Sequence, residues 1–490
     1  MPQRRPMQVD HPPPLFHHPA SRRTMLQAGG LGLAGLGLAD LFRSRSLAGE
    51  SASANAKVVP ERSVIFVFLN GGISHQDSFD LKPEAPDSVR GEFLPIATDT
   101  DGIEICEHLP QLARQSERYT LVRSIATASS GHEEACHMLF TGRLDFPAGF
   151  SLNRVPSPNE WPSMAAQVTY ATQGRNNLPA AAVLPQPSIN EAGSVRPGQF
   201  AGKLGARHEA WQLHIAAPCP LGNGACPNCF RFEGTPFQHS SRSIFDIPLL
   251  TLPEGGPVRL DRRIGLLGSI ERQQQSLETL AESVRLDRHR QQAISVLADP
   301  KVSAAFDVEQ ADPSIVARYG KNKFGLSLLM ARRLVEAGVN LVQVNLGKNS
   351  SWDTHRRNFV NLKDNLLPYL DQSLSALLDD LAQSGLLDST LVVVSGEFGR
   401  TPKINADAGR DHWGPVITSL FAGGGVTGGQ VIGATDNIAA QPIRDRQTTE
   451  NLAATIYHTL GIPPHAAWTD FDGRPYELYR ADPISGLMGT

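Results

Sequence analysis

The sequence predicts an α/β protein built on a doubly wound, largely parallel sheet sandwiched by helices. Three observations predict it. Short apolar, β-rich runs recur along the chain, and several end in glycine or a polar loop, as buried parallel strands do. Segments of helical periodicity alternate with those runs. Hydrophobic residues make up 40% of the 490 residues and charged residues 19%, so the chain can bury a large core and is not a disordered one.

Residues 49–61 read as a linker. Arg62 to Leu69 (RSVIFVFL) is a buried strand that ends in Asn70-Gly71-Gly72. Tyr119 to Ile125 and Ala180 to Leu184 are shorter strands. His132 to Gly142 reads as a helix stopped by glycine. Residues 186–258 are rich in Gly, Pro and Asn without periodicity, and read as an irregular insertion over one end of the sheet. Asp261 to Leu297 is charged and periodic, hence helical. Ala317 to Ala337 predicts one helix running into the strand Val339 to Leu346. Arg357 to Ser384 predicts a long amphipathic helix, with Leu362, Leu366, Leu370, Leu374, Leu377 and Leu381 at three- and four-residue spacings. Pro368 lies inside it and should kink or split it. Ser389 to Ser395 and Val416 to Phe421 are the last long strands. Thr448 to Leu460 is a final helix, stopped by Gly461 and Pro463-Pro464. The folded domain so read spans residues 62–485.

Six Arg against two Asp give residues 1–48 a charge of +4, so the remaining residues carry −8 of the total −4. A mildly acidic body excludes nucleic acid as the main partner, because phosphate binding needs clustered Lys and Arg. Within the basic segment, Ser21-Arg22-Arg23-Thr24-Met25-Leu26 precedes a Gly-rich apolar run from Ala28 to Phe42. That run is too short and too dilute to span a bilayer comfortably. A twin-arginine pair before a mild apolar run is the pattern of a Tat export signal, with cleavage expected after Ala48 or Ala56. The expected location is the periplasm or the outside of the cell, with no stable membrane span after cleavage.

Open parallel sheets bind ligands beyond the carboxyl ends of their strands. Asn70, His75, Asp77 and Asp80 follow the first strand, and Ser130, His132, Glu133 and Glu134 follow the second. Asp353 and His355 lie in the Trp352-Asp-Thr-His stretch after the strand ending at Leu346. Glu397 and Arg400 follow Ser395, and Arg410, Asp411 and His412 lie downstream. Carboxylates and imidazoles converging on one edge suit a divalent metal such as zinc or manganese. Arg400 and Arg410 add fork-shaped positive charge suited to a phosphate or sulfate group. Structural readings stand beside these. Asp353 suits a helix N-cap, Glu397 and Arg400 an ion pair, His412 a packed loop and His75 the solvent.

Cys219, Cys226 and Cys229 have C-x6-C-x2-C spacing. A zinc knuckle completed by His208, His214 or His239 and a disulfide are both open, the disulfide being favoured in an oxidising compartment. Cys136 reads as a core residue and Cys106 as a loop residue.

The runs FLNGGISHQDSFD, GHEEACHMLFTGR, WDTH, SGEFGRTPKI with GRDHWG, and AATIYHTLGI resemble the Tat-exported bacterial family called domain of unknown function 1501, over about residues 60–485. That family is grouped with the alkaline phosphatase-like superfamily. The resemblance implies an alkaline phosphatase-like α/β sandwich with a metal centre at the strand ends. It implies that Asp353, His355 and His412 hold one metal, with Asp411 as an extra ligand. Asn70 and Glu397 look like remnants of a second site. Asn70 stands where the superfamily has a metal-binding Asp, and Phe398 where it has a His. No Ser or Thr sits plainly at the nucleophile position, and no sulfatase signature is evident there.

The expectation is therefore an exported hydrolase of phosphate- or sulfate-type esters with one divalent ion (zinc, manganese or calcium) and a small or polymeric anionic substrate. Glu397 is expected as ligand or base. Arg400 and Arg410 would neutralise the anion. His132 would accept a proton from a water attacking at the metal. The alternative is a catalytically degenerate member that binds a surface polysaccharide or a protein partner.

Overall fold

Alternation within the first strand sets the two layers of the core. In Ser63–Leu69 (β1), Ile65, Val67 and Leu69 pack into one apolar cluster, and Val64, Phe66 and Phe68 into the other. This is the period of two that a strand imposes. The structure is a computed structural model, and it describes residues 58, 60–152, 155–176, 178–190, 193–213, 305–308, 311–347 and 351–488. The leader, most of the linker, residues 214–258 of the insertion, the helices expected over Asp261 to Leu297, and Cys219, Cys226 and Cys229 lie outside the described residues.

The central sheet has nine strands. After β1 they are Tyr119–Ala126 (β2), Ala181–Leu184 (β3), Trp211–Gln212 (β4), Leu341–Leu346 (β5), Thr390–Ser395 (β6), Ile417–Ala422 (β7), Gln430–Ile432 (β8) and Gln447–Thr448 (β9). Their spatial order is β8-β2-β7-β6-β1-β5-β3-β4, with β9 also paired to β2. All pairings are parallel except those of β7, which runs antiparallel to both β2 and β6. The expected largely parallel α/β sheet is therefore observed. Helices His132–Thr141 (α1), Met164–Ala171 (α2) and Thr449–Thr459 (α5) cover one face. Lys323–Ala337 (α3) and Leu367–Gln383 (α4) cover the other. No helix of the described residues is long and apolar enough to cross a membrane.

Three local expectations are corrected. The single helix expected over Ala317 to Ala337 is two. Gly320, at φ 89°, ends Pro313–Tyr319, and Asn322 Oδ1 caps α3 by accepting from the N–H groups of Phe324 and Gly325 at 3.0 Å each. Pro368 splits the long helix as expected, and the turns before it widen into a π-helix at Leu362–Leu366. Trp211–Gln212, inside the predicted insertion, adds an edge strand. Cys106 is a buried strand residue of Glu104–Cys106, and both it and Cys136 are free thiols.

Two buried histidines make the fold acid-sensitive. Burial lowers the His75 pKa to about 4, its Nε2 lying 2.9 Å from the Ala439 carbonyl. Burial lowers that of His137 to about 3, and neither of its ring nitrogens has a partner among the described residues. The unfolded chain therefore takes up these protons first, near pH 6.5. Stability present above that pH is lost as pH falls toward 4 and 3. His137 packs against the paired rings of Phe146 (4.9 Å) and Phe150 (5.0 Å), which are 6.3 Å apart. His137→Leu is expected to stabilise the protein by about 1 kcal/mol at pH 7 and by roughly 2 kcal/mol more at pH 5. Urea unfolding at the two pH values reads both.

Candidate metal centre

Adjacent parallel strands place their carboxyl ends side by side. Phe68 near the end of β1 is in register with Asn345 of β5 and Ser395 of β6. The loops leaving these strands carry Asn70, the stretch Trp352 to His355, and Glu397. His132 opens α1, beyond the end of β2. His412 arrives differently. It pairs with Arg400 in a short antiparallel ribbon, Gly399–Arg400 with His412–Trp413. Because β7 runs backwards, the residues just before it lie at the same edge of the sheet. The Gly414 carbonyl accepts from the Thr127 N–H at 3.0 Å, and the Gly414 N–H donates to Ser130 Oγ at 2.9 Å.

Asp353 is the centre of the arrangement. Its Oδ2 lies 3.0 Å from His132 Nε2. Its Oδ1 lies 3.0 Å from His412 Nε2, 3.1 Å from His355 Nε2 and 2.6 Å from Arg400 Nη2. The Nε2 atoms of His355 and His412 are 2.8 Å apart. Burial works against the Asp353 charge, but Arg400 and the three imidazoles hold its pKa far below the carboxylate range.

The histidines are themselves oriented. His132 Nδ1 lies 2.7 Å from Glu397 Oε1, and His355 Nδ1 lies 2.7 Å from Asp411 Oδ1. Both rings therefore have one nitrogen on a carboxylate and turn the other to Asp353. Burial lowers the His132 pKa, but its bonds to Asp353 and Glu397 raise it on balance. Bonds to Asp353 and Asp411 raise that of His355 against partial burial. Burial and the Arg400 charge lower that of His412. Glu397 is fully buried. Burial raises its pKa, but His132 lowers it on balance, and both its oxygens accept from the Gly71 N–H at 3.1 Å. Gly71 has φ 116°, and a Cβ there would sit 2.6 Å from the Asp353 nitrogen, so only glycine lets these loops meet.

The donor set fits a transition-type divalent ion. Ligand atoms of His132, Asp353 and His412 all lie within 4.8 Å of one another. Two imidazoles and a carboxylate suit zinc or manganese, whereas calcium prefers oxygen ligands alone. The carboxylate on the far nitrogen of His132 is the support that metal-bound histidines usually have.

Several predicted residues take other places. His132 is not a free proton acceptor, because both its nitrogens face carboxylates. Asp411 faces the far nitrogen of His355 rather than the cluster. Glu397 bonds His132 and Gly71 instead of Arg400. Both arginines are engaged within the chain, so neither has its fork free for a phosphate or sulfate. Arg400, fully buried, donates to the carbonyls of Gly71, Gly72, Trp352 and Arg410 and pairs with Asp353. Arg410, fully buried, places Nε 2.6 Å and Nη2 2.8 Å from the Asp77 carboxylate, and its other N–H groups go to the carbonyls of Val89, Thr401 and Pro402. Asn70 is buried at the end of β1, with neither side-chain atom partnered among the described residues. His75 is buried rather than exposed. Asp80 is tied to Lys82 at 3.0 Å, and Glu133 to Arg196 at 3.0 Å. The role of Asp77 as counter-ion to Arg410 was not evident from the sequence. Its position after the first strand was the only signal.

A family model described as "Protein of unknown function (DUF1501)" matches residues 61–488. A search of curated proteins finds no match. Among solved structures, the chain is similar to Ps i-CgsB at 10% identity, covering 82% of this chain and 72% of that one with a TM-score of 0.36. It is similar to the lipoteichoic acid synthase LtaP from Listeria monocytogenes at 12% identity, covering 86% and 87% with a TM-score of 0.33. It is similar to alkaline phosphatase from the Antarctic bacterium TAB5 at 11% identity, covering 82% and 97% with a TM-score of 0.32. Likeness of this size carries no argument about activity.

Proposed function

The chain belongs to the DUF1501 family, and we propose that its site is a divalent-metal centre that hydrolyses anionic esters of the phosphate or sulfate type. The observation that supports this most is the pair of carboxylate-oriented histidines, His132 on Glu397 and His355 on Asp411, turned with His412 toward one carboxylate. His132, Asp353 and His412 would hold the ion, and zinc or manganese is the reading their nitrogen-rich set favours. When bound, such an ion supplies Lewis acidity, polarising an ester oxygen and acidifying water.

The chain's own residues do the rest. Glu397 holds the proton of His132 on Nδ1, which would leave Nε2 to an ion seated between it and Asp353. Arg400 keeps Asp353 ionised and immobile. His355 is the most exposed of the three rings, with 38% of its side chain accessible, and its Nδ1 is tied to the exposed Asp411. A proton on this ring can pass between the site at Nε2 and solvent at Asp411. With Arg400 and Arg410 engaged, a bound ion would be the main positive charge facing an anionic substrate. The leader residues support the further proposal that the chain leaves the cytoplasm folded, by the twin-arginine route, and acts in the periplasm or outside the cell.

Elemental analysis of the purified chain lacking residues 1–48 tests the reading. About one equivalent of zinc or manganese is expected in the wild type and little in His412→Ala. Aryl phosphates and aryl sulfates then probe hydrolysis. Equal, negligible metal in both proteins would overturn the proposal. Metal without turnover of either ester class would favour the degenerate binder of an anionic polysaccharide or protein partner. Glu397→Gln removes the charge that orients His132 and is expected to weaken metal affinity about 10–100-fold, measured by chelator competition.

A further inference from the structure

On the sheet face that carries α1 and α5, several buried donors lack acceptors among the described residues. Arg143 follows Gly142, the residue that ends α1, and is 1% exposed. Its Nη2 donates to the Glu477 carbonyl, but its Nε and Nη1 have no partner among the described residues. A buried guanidinium without an anion is costly. Two acids, Asp145 and Glu450, stand in its neighbourhood but have other partners. Asp145 stands 3.9 Å from Arg480, and Glu450 accepts from the Leu144 N–H at 3.3 Å.

The neighbouring polar groups add donors. The Arg143 guanidinium stands 4.7 Å above the Trp161 ring, whose own N–H is spent on the Asp145 carbonyl at 3.1 Å. Trp468 meets Trp161 edge-on at 6.4 Å and stacks at 4.8 Å on Tyr476, the residue before Glu477. Trp468 is fully buried and its Nε1 has no partner among the described residues. An indole N–H can only donate. Tyr457 of α5 is fully buried and stacks at 5.3 Å on Tyr479, two residues beyond the Glu477 carbonyl that Arg143 binds, and its hydroxyl has no partner among the described residues. Glu160, next to Trp161 in the chain, turns one oxygen to the Gly198 N–H at 3.2 Å, its other oxygen has no partner among the described residues, and burial pushes its carboxyl up to about 7.

We propose that Arg143, Tyr457 and Trp468 form a buried site for one small inorganic anion, which ties the end of α1 to α5 and to the ribbon Ala467–Thr469 with Pro475–Glu477. The lining is one fixed cation plus N–H and O–H donors on aromatic frames, the chemistry that selects a halide or small oxyanion over a cation or neutral ligand. This site is structural and independent of the metal reading.

Chloride and bromide are the probes. Sodium gluconate, whose anion is too large for the site, controls for ionic strength. The Tm is expected to be about 3 °C higher in sodium chloride than in isoionic gluconate. Crystals grown in sodium bromide should give an anomalous peak between Arg143 and Tyr457. Tyr457→Phe keeps the ring and loses the donor, so most of the chloride-specific increment should vanish while the Tm in gluconate stays within about a degree. Arg143→Gln should abolish the increment. If that variant does not fold, Tyr457→Phe and the bromide peak decide. Equal Tm in the two salts, or bromide only at the surface, would overturn the proposal.

Discussion

Asp353→Asn is expected to empty the metal site and slow ester hydrolysis on the order of a thousandfold, the equivalent of losing several kcal/mol of transition-state stabilisation. The substitution keeps the shape of the side chain and removes its charge. That charge does three things at once. It attracts the cation, it neutralises Arg400 at 2.6 Å, and it faces the Nε2 atoms of three histidines. Arg400 retains its carbonyl partners at Gly71, Gly72, Trp352 and Arg410, so the fold should survive. The effect therefore separates from misfolding. Metal content and turnover should collapse together while circular dichroism is unchanged. Wild-type metal content in Asp353→Asn would remove this residue from the site.

Asp77→Ala is expected to be the most destabilising single change. Asp77 is 1% exposed and forms a two-point pair with the fully buried Arg410. It also accepts from Ser74 Oγ at 2.6 Å and Asn358 Nδ2 at 2.7 Å. Removing the carboxylate strands a buried charge and two further donors, a cost of about 3–5 kcal/mol. For a body of this size that is a fall in Tm of roughly 4–5 °C. Urea unfolding and calorimetry read it. Arg410 also donates to Thr401 and Pro402 beside the His412 ribbon, so metal retention should decline as well. An unchanged Tm would show that water satisfies Arg410 in solution.

Much of the sheet was readable because each central strand is an unbroken apolar run with a β-rich composition. The candidate site was readable for a related reason. Parallel strands bring their carboxyl ends to one edge, so Asn70, Asp353 and Glu397 could be grouped without knowing strand order. Direction was not readable. Ile417–Ala422 looks like any other buried run, and nothing in its residues says that it runs backwards. The arginines were misjudged because their partners are mostly main-chain carbonyls from distant loops. Every residue carries a carbonyl, so residue types hold no trace of such bonds. The break at Gly320 is not legible because the apolar spacing continues across it.

The reversed strand has a consequence for how the protein is made. β7 lies between β2 and β6, and within the described sheet it is the sole link between the part that carries His132 and the part that carries Asp353. It is also late in the chain. A nascent polypeptide that has completed β1, β2, β5 and β6 holds the sheet piece β6-β1-β5 as one part and β2 as a lone strand, because β8 and β9 come later still. The two become continuous only when Ile417–Ala422 wedges between strands some three hundred and some thirty residues older. Contacts of such long sequence separation form slowly. On the proposed metal reading, loading would follow this late step of sheet closure, which brings His132 together with Asp353 and His412.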